Sequence, residues 1–220
     1  MILIEKGKIK NHSTAEVDTF EIFKLENNKE IFLKSLEADR QWVPIRLRIF
    51  TEHVNPKLNS DLSNMYELLI SYNIEDLRWR WNEKLTVCGS SDFIWYICVI
   101  ESKIQGIIIV KHPYQSFIYN HDIFYIDYLA SAPWNRNSIL SKPQYSKIGR
   151  LLIKTALNDL ISIYNYTPGF NLHSLKRAES YYQKLGMKKL ELDPNKQNLR
   201  KFEMDKTGCE NFLSTLNTAS

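Results

Sequence analysis

Cysteine is scarce in this sequence and nothing is built around it. Cys88, Cys98 and Cys209 form an odd set with no CxxC pair and no histidine-rich spacing, which argues against a disulfide framework and against a zinc site. Cys98 lies in an apolar, strand-like run and is expected to pack as a small hydrophobe. Long apolar runs are missing too. The run from Phe93 to Ile100 is among the longest and falls far short of a bilayer span, so no transmembrane helix is expected. Met1-Ile-Leu-Ile-Glu-Lys has too few apolar residues before its charges to form the core of a signal peptide, and the expected location is cytoplasmic. Charge of one sign is not concentrated. A formal net charge of +4 is spread along the chain without a block of like charges, so a nucleic-acid partner is not indicated. There are no internal repeats and no low-complexity tracts.

What is present is an ordinary globular composition, 44% apolar and 25% charged over 220 residues, enough for one well-buried core with a smaller N-terminal part beside it. Val17 to Leu25 and Glu30 to Leu36 are β-favouring runs around the turn-prone quartet Glu26-Asn-Asn-Lys29, which predicts a hairpin. A helical pattern begins at Asn59-Ser-Asp61 and continues through Leu62, Met65, Leu68 and Leu69; a second spans Ile74 to Leu85, after a break at Ser71-Tyr72-Asn73. Strands follow at Phe93 to Glu101 and Ile104 to Lys111, turning at Ser102-Lys103, with Gly106 allowing a bulge or a close backbone approach. Phe124 to Ala132 reads as a strand, Gly149 to Tyr164 as an amphipathic helix, Phe170 to Ser174 as a strand and Leu175 to Leu185 as a helix. Leu190 to Leu192 and Leu199 to Met204 read as a closing hairpin. This order predicts an α/β sheet of mixed pairing. The expected division is an N-terminal extension over 1–89 that packs on a main domain over 90–205, with a tail over 206–220.

Three stretches carry chemistry. Gln144-Tyr-Ser-Lys-Ile-Gly149 opens the amphipathic helix, where free N–H groups and the helix dipole favour an anion such as a cofactor phosphate. Ala178-Glu-Ser-Tyr-Tyr-Gln-Lys-Leu-Gly186-Met puts Tyr182 late in a helix that stops at Gly186. Tyr125-Ile-Asp-Tyr-Leu-Ala-Ser-Ala-Pro133 ends a strand on a proline. In this order and spacing they resemble the GNAT superfamily of acyl-CoA-dependent N-acyltransferases over residues 90 to 205. The resemblance implies a mixed, mostly antiparallel sheet with a splayed central strand pair, flanked by helices. It also implies acetyl-CoA as acyl donor, no metal, and transfer of the acetyl group to a primary amine by direct attack.

On that resemblance Leu129, Ala130 and Ser131 line the pantetheine arm. Gln144, Tyr145, Ser146, Lys147, Ile148, Gly149 and Arg150 hold the pyrophosphate, and Tyr182 protonates the departing thiolate. The chain departs from the family pattern at Lys147, where a glycine is usual, at Leu175, where an asparagine is common, and at Met187, where an aromatic is expected. A further departure is the polar insertion from Trp134 to Pro143, which either walls the acceptor site or is a surface loop anchored by Trp134. For the base that takes the amine proton, Asp127 comes first and His173 second, with Glu101 and His121 behind; a buried structural aspartate is the alternative for Asp127. Asp76-Leu-Arg-Trp-Arg-Trp-Asn82 interleaves arginine with tryptophan as nucleic-acid sites do, but a lid over the acceptor pocket or packing on the sheet is preferred. The expected partner is an amine-bearing small molecule or protein, with a homodimer compatible. A silent acyl-CoA-binding sensor and toxin-like acetylation of aminoacyl-tRNA are the alternative functions.

Overall fold

A computed structural model describes residues 1–58 and 62–215. Strands β1 (Ile2–Lys10) and β2 (Val17–Leu25) form an antiparallel pair at one edge of the sheet. The hairpin partner expected at Glu30 to Leu36 is instead the start of a helix, α1 (Asn28–Ile49). Asn27 accepts from the Glu30 N–H at 3.0 Å, and the Glu30 carboxylate reaches back past the cap to accept from the Glu26 N–H at 3.0 Å, a side-chain cap of the kind that fixes a helix start. Ile31, Ser35, Ala38 and Trp42 then fall on the buried face at helical spacing. A π-helical turn at Phe50–Val54 leads into α2 (Asn55–Leu58).

The helix start read at Asn59-Ser-Asp61 lies outside the described residues, and α3 (Met65–Ser71) accounts for the rest of that pattern. The helix expected from Ile74 begins only at Trp81, as α4 (Trp81–Cys88). Asp39 of α1 supplies its cap, accepting from the N–H groups of Trp81 and Asn82 at 2.9 Å each, while Asp76 is drawn into an ion cluster. A cap lent from another helix leaves no local signal in the sequence.

The remaining elements are β3 (Phe93–Ile100), β4 (Lys103–Gln115), β5 (Asp122–Ser131), α5 (Ile148–Tyr164), β6 (Phe170–Ser174), α6 (Glu179–Lys184), β7 (Lys188–Asp193), β8 (Leu199–Met204) and α7 (Lys206–Ser214). The β3–β4 turn sits one residue earlier than expected, with Glu101 and Ser102 both at positive φ, as a tight hairpin requires. One eight-stranded sheet runs in the order β1-β2-β3-β4-β5-β6-β8-β7, and every neighbour pairing is antiparallel except β5 with β6. The fold is thus the mixed, mostly antiparallel α/β sheet flanked by helices that was expected.

One face of the sheet packs on α5, with Cys98, Phe124, Ile126, Leu152 and Leu160 in its core and Cys209 and Phe212 added by α7. The other packs on α1 and α4 through Trp42, Trp81 and Trp95. These three indoles are fully buried, and truncating any one to alanine is a change of about 3–5 kcal/mol. Among the described residues no helix is long and apolar enough to cross a membrane, and no group of three or more His, Cys, Asp or Glu is placed to hold a metal ion.

Two irregularities in β5 open the sheet on both of its faces. The register of β5 against β4 jumps from Val110↔Ile126 to Ile109↔Tyr128, so Asp127 is a bulge residue. The bulge reverses the alternation of side chains: Phe124 and Ile126 face α5, whereas Tyr128 and Ala130 face α1 and α4. Second, β5 pairs with β6 only from Phe124 to Ile126, opposite Phe170 to Leu172. From Asp127 to Ser131 the strand has no β6 partner, and the pair is splayed as the resemblance implied.

Candidate active site

On the α5 side of the splay lies a groove of about 380 Å³, lined by Leu129, Ala130 and Ser131 of β5, by Lys147 to Arg150, and by Tyr181 and Tyr182 of α6. Its floor is set by how closely α5 approaches the sheet. A Cβ on Gly106 of β4 would stand 2.7 Å from Ile148 Cγ2 and 2.8 Å from Leu152 Cδ1, contacts that do not occur without a shift, so this glycine lets the helix start sit against β4. A Cβ on Gly149 would point across the groove, 3.7 Å from Leu129 Cδ2 and 3.9 Å from Ser131 Oγ. A side chain longer than a methyl at Gly149 therefore projects into it.

The loop before α5 is anchored at several points. Tyr145 is buried, its hydroxyl donating to Asp18 at 2.6 Å and its N–H to Asn135 Oδ1 at 3.0 Å, while the Gln144 carbonyl accepts from the His12 N–H at 2.8 Å. Lys147 closes the turn with φ 66° and ψ 11°, so the lysine occupies the left-handed conformation that a glycine adopts without steric penalty, at a cost of roughly 1–2 kcal/mol. No side chain caps α5, and the Leu151 N–H is the one that closes back onto the Lys147 carbonyl, at 3.0 Å. The N–H groups of Ile148, Gly149 and Arg150 ahead of it are those a helix start leaves unpaired. Lys147 and Arg150 also line a neighbouring depression of about 500 Å³ with Lys8, Lys10, His12, Ser146 and Lys154 and a single carboxylate, Glu5, a net excess of positive charge beside the dipole's positive end.

Tyr182 sits at the far wall of the groove. It is 7% exposed, makes ring contacts with Tyr181 and Phe202, and its hydroxyl has no hydrogen-bond partner among the described residues. Burial, aided by Tyr181 and opposed by Arg177, pushes the phenol pKa up. The group is therefore a proton carrier at neutral pH.

The base of the Trp134 insertion is structural as well as lining. Trp134 Nε1 donates to Gln105 Oε1 at 2.7 Å, and Arg136 Nε donates to the Ser131 carbonyl at 2.9 Å. Arg136 also grips Asp76 with both terminal nitrogens, at 2.5 and 2.7 Å. Arg46 reaches the same carboxylate at 3.0 Å and the Asp76 and Trp79 carbonyls at 2.7 and 2.8 Å. This buried cluster ties the end of β5 to α1 and to the segment before α4.

A second cavity, about 420 Å³, opens on the opposite face of β5 and is lined by Trp79, Lys84, Tyr125, Asp127, Tyr128 and His173, with Lys196 at its rim. Asp127 Oδ2 accepts from the Cys88 thiol at 3.4 Å, and burial together with that carboxylate pushes Cys88 up to about 12, so the thiol stays a donor. His173 is engaged at both nitrogens, Nε2 with Asp193 at 3.0 Å and Nδ1 with the Tyr125 hydroxyl at 2.9 Å. Burial lowers its pKa against the opposing pull of Asp193. With the ring neutral and the carboxylate able only to accept, Nε2–H donates to Asp193 and Nδ1 accepts from Tyr125.

No family model and no curated protein matches this sequence. Solved structures do resemble the fold. An uncharacterized protein from Bacillus halodurans is similar with a TM-score of 0.53 at 7% identity, over 96% of this chain and 95% of that one. A Pyrococcus horikoshii protein aligns more loosely, with a TM-score of 0.46 at 16% identity over 84% of this chain and 98% of that one. An aminoglycoside acetyltransferase from an uncultured soil metagenomic sample does so at 0.42 and 16%, over 76% and 84%. At 7% identity the likeness to the Bacillus halodurans protein is one of fold alone.

Of the residues singled out in the sequence, the groove gathers Leu129, Ala130, Ser131, Lys147, Ile148, Gly149, Arg150 and Tyr182. Ser146 lies in the adjoining basic depression. Gln144 and Tyr145 line neither and act as anchors of the loop. Asp127 and His173 share the second cavity, while Glu101 is in the β3–β4 turn and His121 stacks on Tyr119 elsewhere. Sequence reasoning gave no site role to Lys84 or Tyr125, and it marked Asp76 and Arg136 only as parts of the Asp76–Asn82 and Trp134–Pro143 stretches, not as partners. The Asp76 to Asn82 stretch stands out by composition, but its roles diverge: Asp76 in the ion cluster, Trp79 on the cavity wall, Trp81 in the core.

Proposed function

We propose that this chain is an N-acetyltransferase that moves an acetyl group from acetyl-CoA to a primary amine by direct attack. The observation that carries the reading is the meeting, in one groove, of an unpaired strand edge, an uncapped helix start and a buried phenol with a free hydroxyl, with a second cavity on the other side of the same strand. The residues fit such a donor. Gly149 leaves the groove open where a side chain would close it, and the orphan N–H groups beside Lys147 and Arg150 suit a pyrophosphate. The basic depression suits the phosphates of the nucleotide end.

Acetyl-CoA supplies an acyl thioester already activated for attack. The edge of β5 from Leu129 to Ser131, free of a strand partner though Arg136 holds the Ser131 carbonyl, hydrogen-bonds the donor's amide arm and sets its depth. Tyr182, kept protonated by burial, donates to the sulfur as charge develops there. Asp127, at the bulge and facing the opposite cavity, takes the amine's proton directly or through water. His173, committed at both nitrogens, serves to hold Tyr125.

The test is thiol release from acetyl-CoA across pools of small amines, peptides and tRNA. Release with an amine or peptide acceptor, lost in Tyr182→Phe, supports the reading. Saturable donor binding with no release in any pool replaces it with a silent binding module, and release confined to the tRNA pool replaces the acceptor.

A further inference from the structure

We propose that the second cavity selects an acceptor that carries a carboxylate as well as its amine, and that Lys84 is the residue that reads the carboxylate. The amine half of this inference rests on the acetyl-transfer reading; the anion site does not.

Lys84 projects from α4 into the cavity and is only 9% exposed. Its ammonium lies 3.3 Å from the ring centroid of Tyr128, 4.5 Å from that of Trp79 and 5.9 Å from that of Trp81. It makes no hydrogen bond or ion pair among the described residues. Aromatic faces offset part of the cost of removing an ammonium from water, but a buried cation without an anion within contact is an incomplete arrangement. Burial pulls its pKa down to about 8 against the opposing field of the Asp127 carboxylate, so at neutral pH most molecules still present a charge to the cavity.

A single buried lysine with three donors suits a carboxylate better than a phosphate dianion, which calls for several convergent donors. The opposite pole of the cavity is Asp127, which draws the amine end toward the splay of β5. A site with one buried cation and one carboxylate matches a zwitterionic amine, and complementarity of this kind sets specificity. At about 420 Å³ the space is on the scale of an amino acid or a dipeptide.

Two pairs of probes separate the halves of the proposal. N-Acetylglycine and N-acetylglycinamide carry no free amine and report the anion site alone, followed through tryptophan fluorescence because Trp79 and Trp81 flank Lys84. The carboxylate is expected to bind at least tenfold more tightly than the amide, with the difference gone in Lys84→Met and kept in Lys84→Arg. Glycylglycine and glycylglycinamide then serve as acceptors with acetyl-CoA. The ratio of their kcat/KM values should favour the carboxylate at least tenfold and collapse in Lys84→Met through KM, not kcat. Circular dichroism confirms folding, and Lys84→Gln repeats the comparison should the methionine variant misfold. Equal binding of the two amine-free probes, or a preference untouched in both variants, overturns the proposal. A carboxylate preference with no thiol release from any acceptor leaves the anion site standing and rejects acetyl transfer; thiol release without a carboxylate preference does the reverse.

Discussion

Tyr182 is the side chain on which the proposed chemistry depends most narrowly. Its hydroxyl is unpartnered and its phenol is held protonated by burial, so Tyr182→Phe is expected to leave the packing against Phe202 intact. The rate of thiol release should fall by roughly ten- to a thousandfold, while donor affinity changes little, because a hydrogen bond to sulfur strengthens only as the thiolate forms. Single-turnover kinetics beside a binding titration measures both. Lys84 gives a prediction about pH. Its pKa of about 8 in the fold lies below the unfolded value of about 10.4, so the folded state binds fewer protons between the two. Stability contributed at this site therefore rises with pH from about 8 to about 10 and is at its lowest below that window. Lys84→Met should be the more stable protein at pH 7, by on the order of 1–3 kcal/mol, with the gap closing at pH 10; denaturant midpoints at the two pH values check it. Tyr182 and Gly149 were legible in the sequence because each belongs to a local pattern. Lys84 was not, since the ring nearest its ammonium, that of Tyr128, comes from a strand far along the chain, as does the Asp127 that shares its cavity.

At the scale of elements, the seating of α5 on β4 decides whether the groove exists. Gly106→Ala places a methyl group within 3 Å of Ile148 and Leu152, and overpacking of this kind costs about 1–3 kcal/mol. Because the displaced residues begin α5, the variant should also bind acetyl-CoA several-fold more weakly, as read by calorimetry on the folded fraction. The sequence showed this glycine as a site of close approach, and it showed α5 and most of the strands from residue 93 onward through plain periodicity. It misled at α1, where β-favouring residues outweighed the Asn27-to-Glu30 capping pair that was there to be read. It could not show the start of α4, whose cap comes from Asp39, nor the bulge at Asp127, which reverses the facing of β5 without changing its composition.

Across the whole molecule, the Asp76 cluster joins α1 and the segment before α4 to the end of β5. Burial alone would raise the Asp76 carboxyl, but the guanidinium groups of Arg136 and Arg46 hold it well below the usual carboxylate range. A depressed carboxylate stabilises the fold above its unfolded pKa of about 3.9 and loses that contribution as pH falls below it. Asp76→Asn should cost about 3–5 kcal/mol at neutral pH by leaving two buried guanidinium groups without their anion, and the variant should lose less further stability than the parent on acidification below pH 4. Thermal melts across that range provide the comparison. Nothing local in the sequence announced the cluster, because its members are brought together only by the assembled sheet.

Acetyl transfer by this chain requires that the groove between β5, the start of α5 and Tyr182 hold acetyl-CoA. Calorimetric titration of acetyl-CoA into the protein and into Gly149→Glu tests it most directly. Saturable binding of one donor per chain is expected for the parent, with loss of that binding in a variant that remains folded but carries a bulky negative side chain across the groove. No binding to the parent, or equal binding to both proteins, would contradict it.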